Sequence, residues 1–196
     1  VRVTDRAGGD SPGAGVSMRV DPTRIPQALI DVLREAERIV ALCGAGLSAE
    51  SGIPTFREAQ TGLWAKHDPM TLASPEGFER QPELVWRWYQ WRRSLVERAE
   101  PNAGHQALAE LQRRRPATLL ITQNVDGLQQ RAGSEGVVEL HGNLNRNICS
   151  RTRQRIDRQW LCDHSNLEPP PSPHHPDGRA RPDVVWFGEA LDPETL

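Results

Sequence analysis

Three polar clusters in this sequence carry side chains whose types and spacing could do chemistry. The first is LCGAGLSAESGIPTFRE at residues 42–58, where Gly44, Ala45, Gly46 and Ser48 follow an apolar run and Pro54, Thr55, Phe56 and Arg57 close the stretch. A strand that runs into nearly bare backbone lets amide N–H groups approach phosphate oxygens, and the positive end of a following helix adds attraction. A pyrophosphate suits such a turn. The G-x-G at Gly44 and Gly46 lacks the third glycine of the dinucleotide fingerprint, because Ala49 stands at that place. No acidic residue ends a strand about 20 residues further on, where a Rossmann ribose ligand would be expected.

The second cluster is TQNVDGL at 122–128, with Gln123, Asn124 and Asp126 just after another apolar run. Amide and carboxylate groups there can hold ribose hydroxyls and a carboxamide, although Asn-x-Asp-Gly is also good turn chemistry. The third is His141, at the end of VVELHG. Histidine takes and returns a proton near neutral pH, which suits a general base, but a lone histidine before glycine is more often structural.

These groups need a scaffold, and the patterning supplies one. Residues 25–37 place Ile25, Leu29, Ile30, Val32, Leu33 and Ala36 near a 3.6-residue period and predict an amphipathic helix. Residues 39–42 read as a short buried strand, 118–123 as a second and 137–142 as a third. Between the first two lie a proline-punctuated section at 66–82, a strong helix pattern at 83–100 and another in HQALAELQRRR. Strands alternating with helices predict an α/β fold: a Rossmann-like parallel sheet flanked by helices, with ligands beyond the strands' carboxyl ends. From 143 to 181 the periodicity fails, which predicts a loop-rich second lobe, and order returns with PDVVWFGEAL at 182–191.

At 196 residues the chain can build one substantial core with a minor lobe. With 24 Lys and Arg against 26 Asp and Glu, no global field draws it to nucleic acid or membrane. Three cysteines fit a reducing compartment rather than a disulfide framework, and no apolar run reaches the ~20 residues of a membrane span, so a cytoplasmic location is expected. The opening 22 residues, rich in Gly, Asp, Ser and Pro, are expected to be a disordered tail. The first methionine is Met18, near which a natural start is expected.

Taken together, GAGLSAESGIPTFR, the GLW at 62–64, TQNVDGL, His141 with Gly142, and VVWFGE at 184–189 resemble, in order, the signature blocks of the sirtuins, NAD-dependent protein lysine deacylases. The resemblance spans most of the chain. It implies that NAD is consumed: the acyl-lysine amide oxygen attacks the nicotinamide ribose and nicotinamide leaves. It further implies that Gly44, Ala45, Gly46 and Ser48 cradle the pyrophosphate and that Phe56 and Arg57 belong to a loop covering nicotinamide. Gln123, Asn124 and Asp126 would hold ribose and carboxamide, with His141 as general base. In VVWFGE, Val185, Trp186, Phe187 and Gly188 would line the acyl-lysine tunnel and pair with the substrate backbone. The partners implied are acyl-lysine proteins or peptides. The resemblance also assigns 23–66, 117–146 and 181–196 to the NAD-binding domain, 67–116 to a helical insertion lining the acyl pocket, and 147–180 to a degenerate zinc module.

Thr55, before the Phe-Arg pair, and small Ala59 match the class III sirtuins that remove succinyl and malonyl groups. Tyr89 and Arg92, spaced i and i+3, share a helix face and can converge on a carboxylate. Without the family, this helix would read as core aromatics with a solvated Arg92 and Arg93. Glu58 is expected to face solvent. Sirtuins carry four zinc cysteines; here Cys149 matches the first, Thr152 stands in place of its partner, and only Cys162 lies nearby. A mixed site with His164 and His174 or His175 fits no familiar spacing, so a metal-free lobe is expected. Sirtuins also continue beyond VVWFGE, and the chain stops at Leu196. The rival expectation is therefore a truncated NAD- or peptide-binding remnant with exposed apolar surface; a Rossmann oxidoreductase ranks last.

Overall fold

The computed structural model describes residues 25–55, 58–59 and 65–195. The expected tail, Phe56 and Arg57, and the GLW block lie outside the described residues. The chain divides into two compact units, residues 1–36 and 37–196. In the first, the expected amphipathic helix is α1 (Gln27–Glu35), which starts beside Pro26 and buries none of its residues.

The second unit is built on the parallel sheet predicted from the apolar runs. Strands β1 (Ile39–Cys43), β2 (Thr118–Thr122) and β3 (Val138–Glu139) lie in the order β1-β2-β3. Ile39 pairs with Thr118 and Ile121 with Val138, both in parallel register. Parallel strands require crossovers. The first passes through α2 (Gly46–Ala49), α3 (Pro69–Leu72), α4 (Pro75–Arg80), α5 (Pro82–Arg98) and α6 (Ala103–Arg114), the second through α7 (Leu128–Arg131). Proline opens α3, α4 and α5, where its missing N–H costs nothing, and the side chains of Asp68 and Ser74 cap the first two. The punctuation at 66–82 is thus a run of helix starts.

The sheet departs from expectation on one face: Val40, Leu42 and Leu119 are 62%, 64% and 41% exposed, so β1 is not buried on both sides. The expected strand at 137–142 is also shortened. Its pairing stops at Glu139, and β4 (Gly142–Cys149) begins three residues later in another sheet. Gly142 makes the change of direction possible, with φ +77° and an ideal Cβ position only 2.1 Å from the Asp183 carbonyl oxygen. His141 therefore sits on a corner rather than at the end of a strand.

A further expectation is corrected. Residues 143–181 contain order: β4, α8 (Arg158–Asp163) and the start of β5 (Ala180–Val184). GNLNRNIC hides an eight-residue strand because asparagines at 143 and 147 are buried alongside Leu144 and Ile148. The returning segment forms a second, two-stranded sheet with β4. β5 pairs antiparallel with β4, with a register shift between Asn143 and Asn147, and ends at Val184.

Helix α5 holds these parts together. Val85, Trp88, Tyr89 and Val96 enter the main core with Leu72, Phe78, Leu128, Leu144, Val184 and Trp186. Trp86, on another face, packs with Cys149, Ile156 and Ala180 of the small lobe. Each large apolar side chain so buried contributes roughly 1.5–3 kcal/mol. Arg93 adds a polar clamp. Its guanidinium donates to the Leu144 carbonyl (2.5 Å), the Arg146 carbonyl (3.3 Å) and Asn147 Oδ1 (2.5 Å), tying α5 to β4. Burial pulls its pKa down to about 10. Among the described residues, no helix is long and apolar enough to cross a membrane.

Arg93→Met leaves these acceptors unsatisfied and is expected to destabilise the chain by about 2–4 kcal/mol, read from the shift of a urea unfolding midpoint. Arg93→Lys, which cannot span three acceptors, should recover little; a variant with an unchanged midpoint contradicts the clamp.

Candidate active site

A cavity of about 440 Å³ opens beyond the carboxyl ends of β1 and β2, and its lining includes Ala45, Ser48, Gln123, Asn124, Asp126 and His141. The three clusters that are far apart in sequence therefore meet at one place. Beside them stand Tyr89 and Arg92 from α5 and Val185, Trp186, Phe187 and Gly188 from the segment after β5. Ala59 does not join them. It is 1% exposed within the apolar core, so its small size serves packing there.

The glycine turn is bare for no internal reason. Among the described residues, an ideal Cβ at Gly44 or Gly46 meets nothing within 4 Å, and neither glycine has positive φ. Open space at the end of β1 fits the close approach of a ligand's phosphates. The following helix gives less than expected, because α2 has only four residues and its dipole is correspondingly small.

The polar centre of the site is the buried Ser48 hydroxyl. It donates to Asp126 Oδ2 at 2.7 Å and accepts from Asn124 Nδ2 at 3.1 Å. The third position is a longer contact, 3.5 Å, with Nε2 of fully buried His105. A hydroxyl offers one donor and two acceptor sites, and all three are engaged by protein groups. Asn124 Nδ2 also reaches the Gly44 carbonyl, and Asp126 Oδ1 accepts the Leu128 N–H, so the turns after β1 and β2 are stitched to each other. Ser48 thus orders the site rather than offering its hydroxyl outward.

His105 was not singled out in the sequence. It is the N3 residue of α6, and its Nδ1 accepts the Asn102 backbone N–H in a capping box, which leaves Nε2 to carry the proton toward Ser48. The PNAGH spacing contained that cap but no sign of what lay on the ring's far side. Burial pulls the His105 pKa down, opposed by the charge of Asp126.

His141 has the opposite polarity. Its Nδ1 lies 3.1 Å from the Gln123 carbonyl, an acceptor only, so Nδ1 carries the proton and the Nε2 lone pair stays available in a cavity-lining ring. The side of the cavity formed by α5 and the segment after β5 is drier. Tyr89 is 3% exposed, and burial pushes its pKa up to about 12 against the charge of Arg92 and the Trp186 N–H. Burial pulls the Arg92 pKa down, offset by Tyr89 and Asp126. Glu58 is exposed and bonded locally with Thr55, its carboxylate accepting the Thr55 N–H at 2.9 Å.

VVWFGE does not continue as a strand. After Val184 the chain turns, with Phe187 N–H on the Ala73 carbonyl and Glu189 N–H on the Trp186 carbonyl. Arg181 grips Glu189 through both oxygens, at 2.6 and 2.9 Å, and Glu189 Oε2 accepts the Trp186 N–H. Burial of Glu189 opposes its charge, but Arg181 outweighs this and holds the carboxyl below the usual range.

The sequence profile described as "Sir2 family" matches residues 44–196. The chain belongs to the Sir2 family. It is 51% identical over 165 residues to the NAD-dependent protein deacylase of Aeropyrum pernix, covering 84% of this chain and 65% of that protein. It is 48% identical over 176 residues to NAD-dependent protein deacylase 1 of Pseudomonas aeruginosa, covering 87% and 70%. A crystal structure of a Sir2 homolog–NAD complex superposes with a TM-score of 0.76 at 44% identity, over 88% of this chain and 66% of that one. Sir2Tm bound to a propionylated peptide superposes with a TM-score of 0.71 at 30% identity, over 87% and 67%. This Sir2 chain thus spans just under two thirds of the Aeropyrum relative.

In the small lobe of this Sir2 chain, the cysteines and histidines weighed as zinc ligands are engaged separately. Cys149 is buried, and an ideal Cβ on Gly178 would lie 2.7 Å from its sulfur, so backbone fills the space beside it. Burial opposes its ionisation, but hydrogen bonds from Ser172, Thr152 and the backbone of Thr152 and Arg151 prevail and lower its pKa. Cys162 is exposed, His164 bonds the Trp160 carbonyl, and His174 bonds that of Arg155. Among the described residues, no group of three His, Cys, Asp or Glu side chains is placed to hold a metal ion.

Metal analysis of the purified chain should find well under one equivalent of zinc; a tightly held equivalent refutes a metal-free lobe. The depressed His105 pKa also sets a pH response. Protons favour the unfolded state, whose histidine titrates near its ordinary ~6.5, so stability is full above that value and falls as pH drops toward the lower folded pKa. His105→Gln should flatten this loss in thermal melts between pH 7 and 5, whereas an unchanged slope removes His105 as its source.

Proposed function

We propose that this chain is an NAD-dependent protein lysine deacylase whose site is built for acidic acyl groups such as succinyl and malonyl. The observation that carries the catalytic reading is the tautomer of His141: its Nδ1 proton is committed to the Gln123 carbonyl, which leaves a basic Nε2 on the cavity that Asn124 and Asp126 also line. Curated relatives carry the name NAD-dependent protein deacylase, and one neighbouring structure holds NAD. Open space at Gly44 and Gly46 suits the pyrophosphate, and Gln123, Asn124 and Asp126 offer amide and carboxylate groups to a ribose and a carboxamide.

When bound, NAD supplies a ribose carbon from which nicotinamide can leave. The rest falls to the chain. Nε2 of His141 accepts the proton of a ribose hydroxyl, and the Gln123 carbonyl stabilises the imidazolium so formed through Nδ1–H. Ser48, held by Asp126, Asn124 and His105, keeps the two strand-end turns at fixed separation. Arg92 offers a fork of donors to a carboxylate and Tyr89 a single hydroxyl, both where water is largely excluded. An acetyl group offers no carboxylate to this pair.

The test is incubation of the chain with NAD and matched succinyl-lysine and acetyl-lysine peptides, following nicotinamide release and peptide mass. Succinyl should be lost faster, and His141→Ala should slow turnover by about 10²- to 10⁴-fold. Arg92→Met should reverse the acyl preference while sparing nicotinamide release from acetyl peptide more than from succinyl peptide. Binding of NAD without turnover of either peptide would instead support a binding remnant.

A further inference from the structure

One indole ring separates two spaces. Trp186 borders both the 440 Å³ cavity and a wider cleft of about 1100 Å³ lined by residues of α4, α5 and the small lobe. It is 3% exposed, and its ring has one polar atom, Nε1, which can only donate. That proton goes to the Tyr89 hydroxyl oxygen at 2.9 Å. The phenol oxygen is thereby an acceptor on the indole side, and its own proton must point elsewhere. Among the described residues that proton meets no acceptor, although Tyr89 is 3% exposed and lines the cavity beside Arg92. A buried hydroxyl that leaves its donor unused calls for an acceptor from outside the fold.

The indole is itself held from three directions. The Arg181 guanidinium carbon lies 3.4 Å from its ring centroid, Phe78 packs at 5.4 Å, and Glu189 takes its backbone N–H at 2.8 Å. Arg181 cannot drift, because Glu189 holds two of its nitrogens and the Val184 carbonyl accepts from it at 2.9 Å. The ring plane, and with it the direction of Nε1–H, is set before any ligand arrives.

We propose that Trp186 is a specificity-determining positioning residue: by occupying the acceptor side of the Tyr89 hydroxyl it turns the phenol proton into the cavity, toward a ligand carboxylate shared with Arg92. This rests on the acidic-acyl reading of the site and adds the residue that orients it. Phenylalanine at 186 would preserve the packing under Arg181 but let the Tyr89 hydroxyl rotate.

Tyr89 is the only tyrosine of the chain, so tyrosine labelled with carbon-13 at Cζ reports one resonance. In the ligand-free full chain, Trp186→Phe should move that resonance; an unmoved signal overturns the inference. Calorimetry with succinyl-lysine and acetyl-lysine peptides then compares affinity ratios. Trp186→Phe and Tyr89→Phe should each lower the succinyl-to-acetyl ratio about tenfold, the worth of a hydrogen bond to a charged group. The double variant should be no lower than either single one. Independent, multiplying losses would mean that Trp186 acts without Tyr89, and a ratio unchanged in Trp186→Phe overturns the inference while leaving the acidic-acyl reading intact. A wild-type chain that binds both peptides equally overturns that reading and this inference with it.

Discussion

A single buried hydroxyl, that of Ser48, is the constraint on which the site depends. A polar group taken out of water costs several kcal/mol unless every hydrogen-bonding position is met. Ser48 meets its positions with three groups from two other segments: Asn124 and Asp126 after β2, and His105 at the start of α6. Because none of these can move without stranding another, the turns after β1 and β2 are held at one separation. Asn102 extends the network, since its side chain caps α6 and also bonds the Leu47 carbonyl and Ser51. The cavity is the space left between elements locked in this way.

The side of the cavity between α5 and the segment after β5 is organised by a second network of different character. There Arg181 is buried and pairs with the half-buried Glu189, and the desolvation is offset by two short hydrogen bonds, a backbone carbonyl and the face of Trp186. The pair shapes a turn just after β5, and through Trp186 it reaches Tyr89 on α5. Arg93 acts in parallel from the same helix, binding the β4 backbone. Helix α5 therefore bears on both spaces of the molecule, with Tyr89 and Arg92 toward the cavity and Trp86 toward the small lobe.

Much of the scaffold was legible because it follows from periodicity. The apolar runs at 39–42 and 118–123 became paired parallel strands, and the proline-led segments became helices, since proline at a first helical position leaves a visible mark. The sequence was less informative where burial did not go with hydrophobicity. β4 carries no strand pattern because Asn143 and Asn147 are buried among its apolar residues, Asn147 as a partner for Arg93 and Asn143 for Glu139. β3 is shorter than its apolar run because a strand pattern does not reveal the glycine-dependent corner at Gly142. Ala59 is small enough to suit a pocket, yet it fills the core.

By itself the sequence determined the chemical inventory: a bare turn after the first strand, Asn124 and Asp126 after the second, a histidine before glycine, and an aromatic helix carrying Tyr89 and Arg92. It also determined the alternation of strand and helix, because local propensity and period act over a few neighbouring residues. Only the tertiary structure decided which nitrogen of His141 holds the proton, why Ser48 faces inward, and that Trp186 donates to Tyr89 across 97 residues of chain. Hydrogen-bond direction depends on the partner within about 3 Å, and that partner comes from the fold, not from the adjacent sequence.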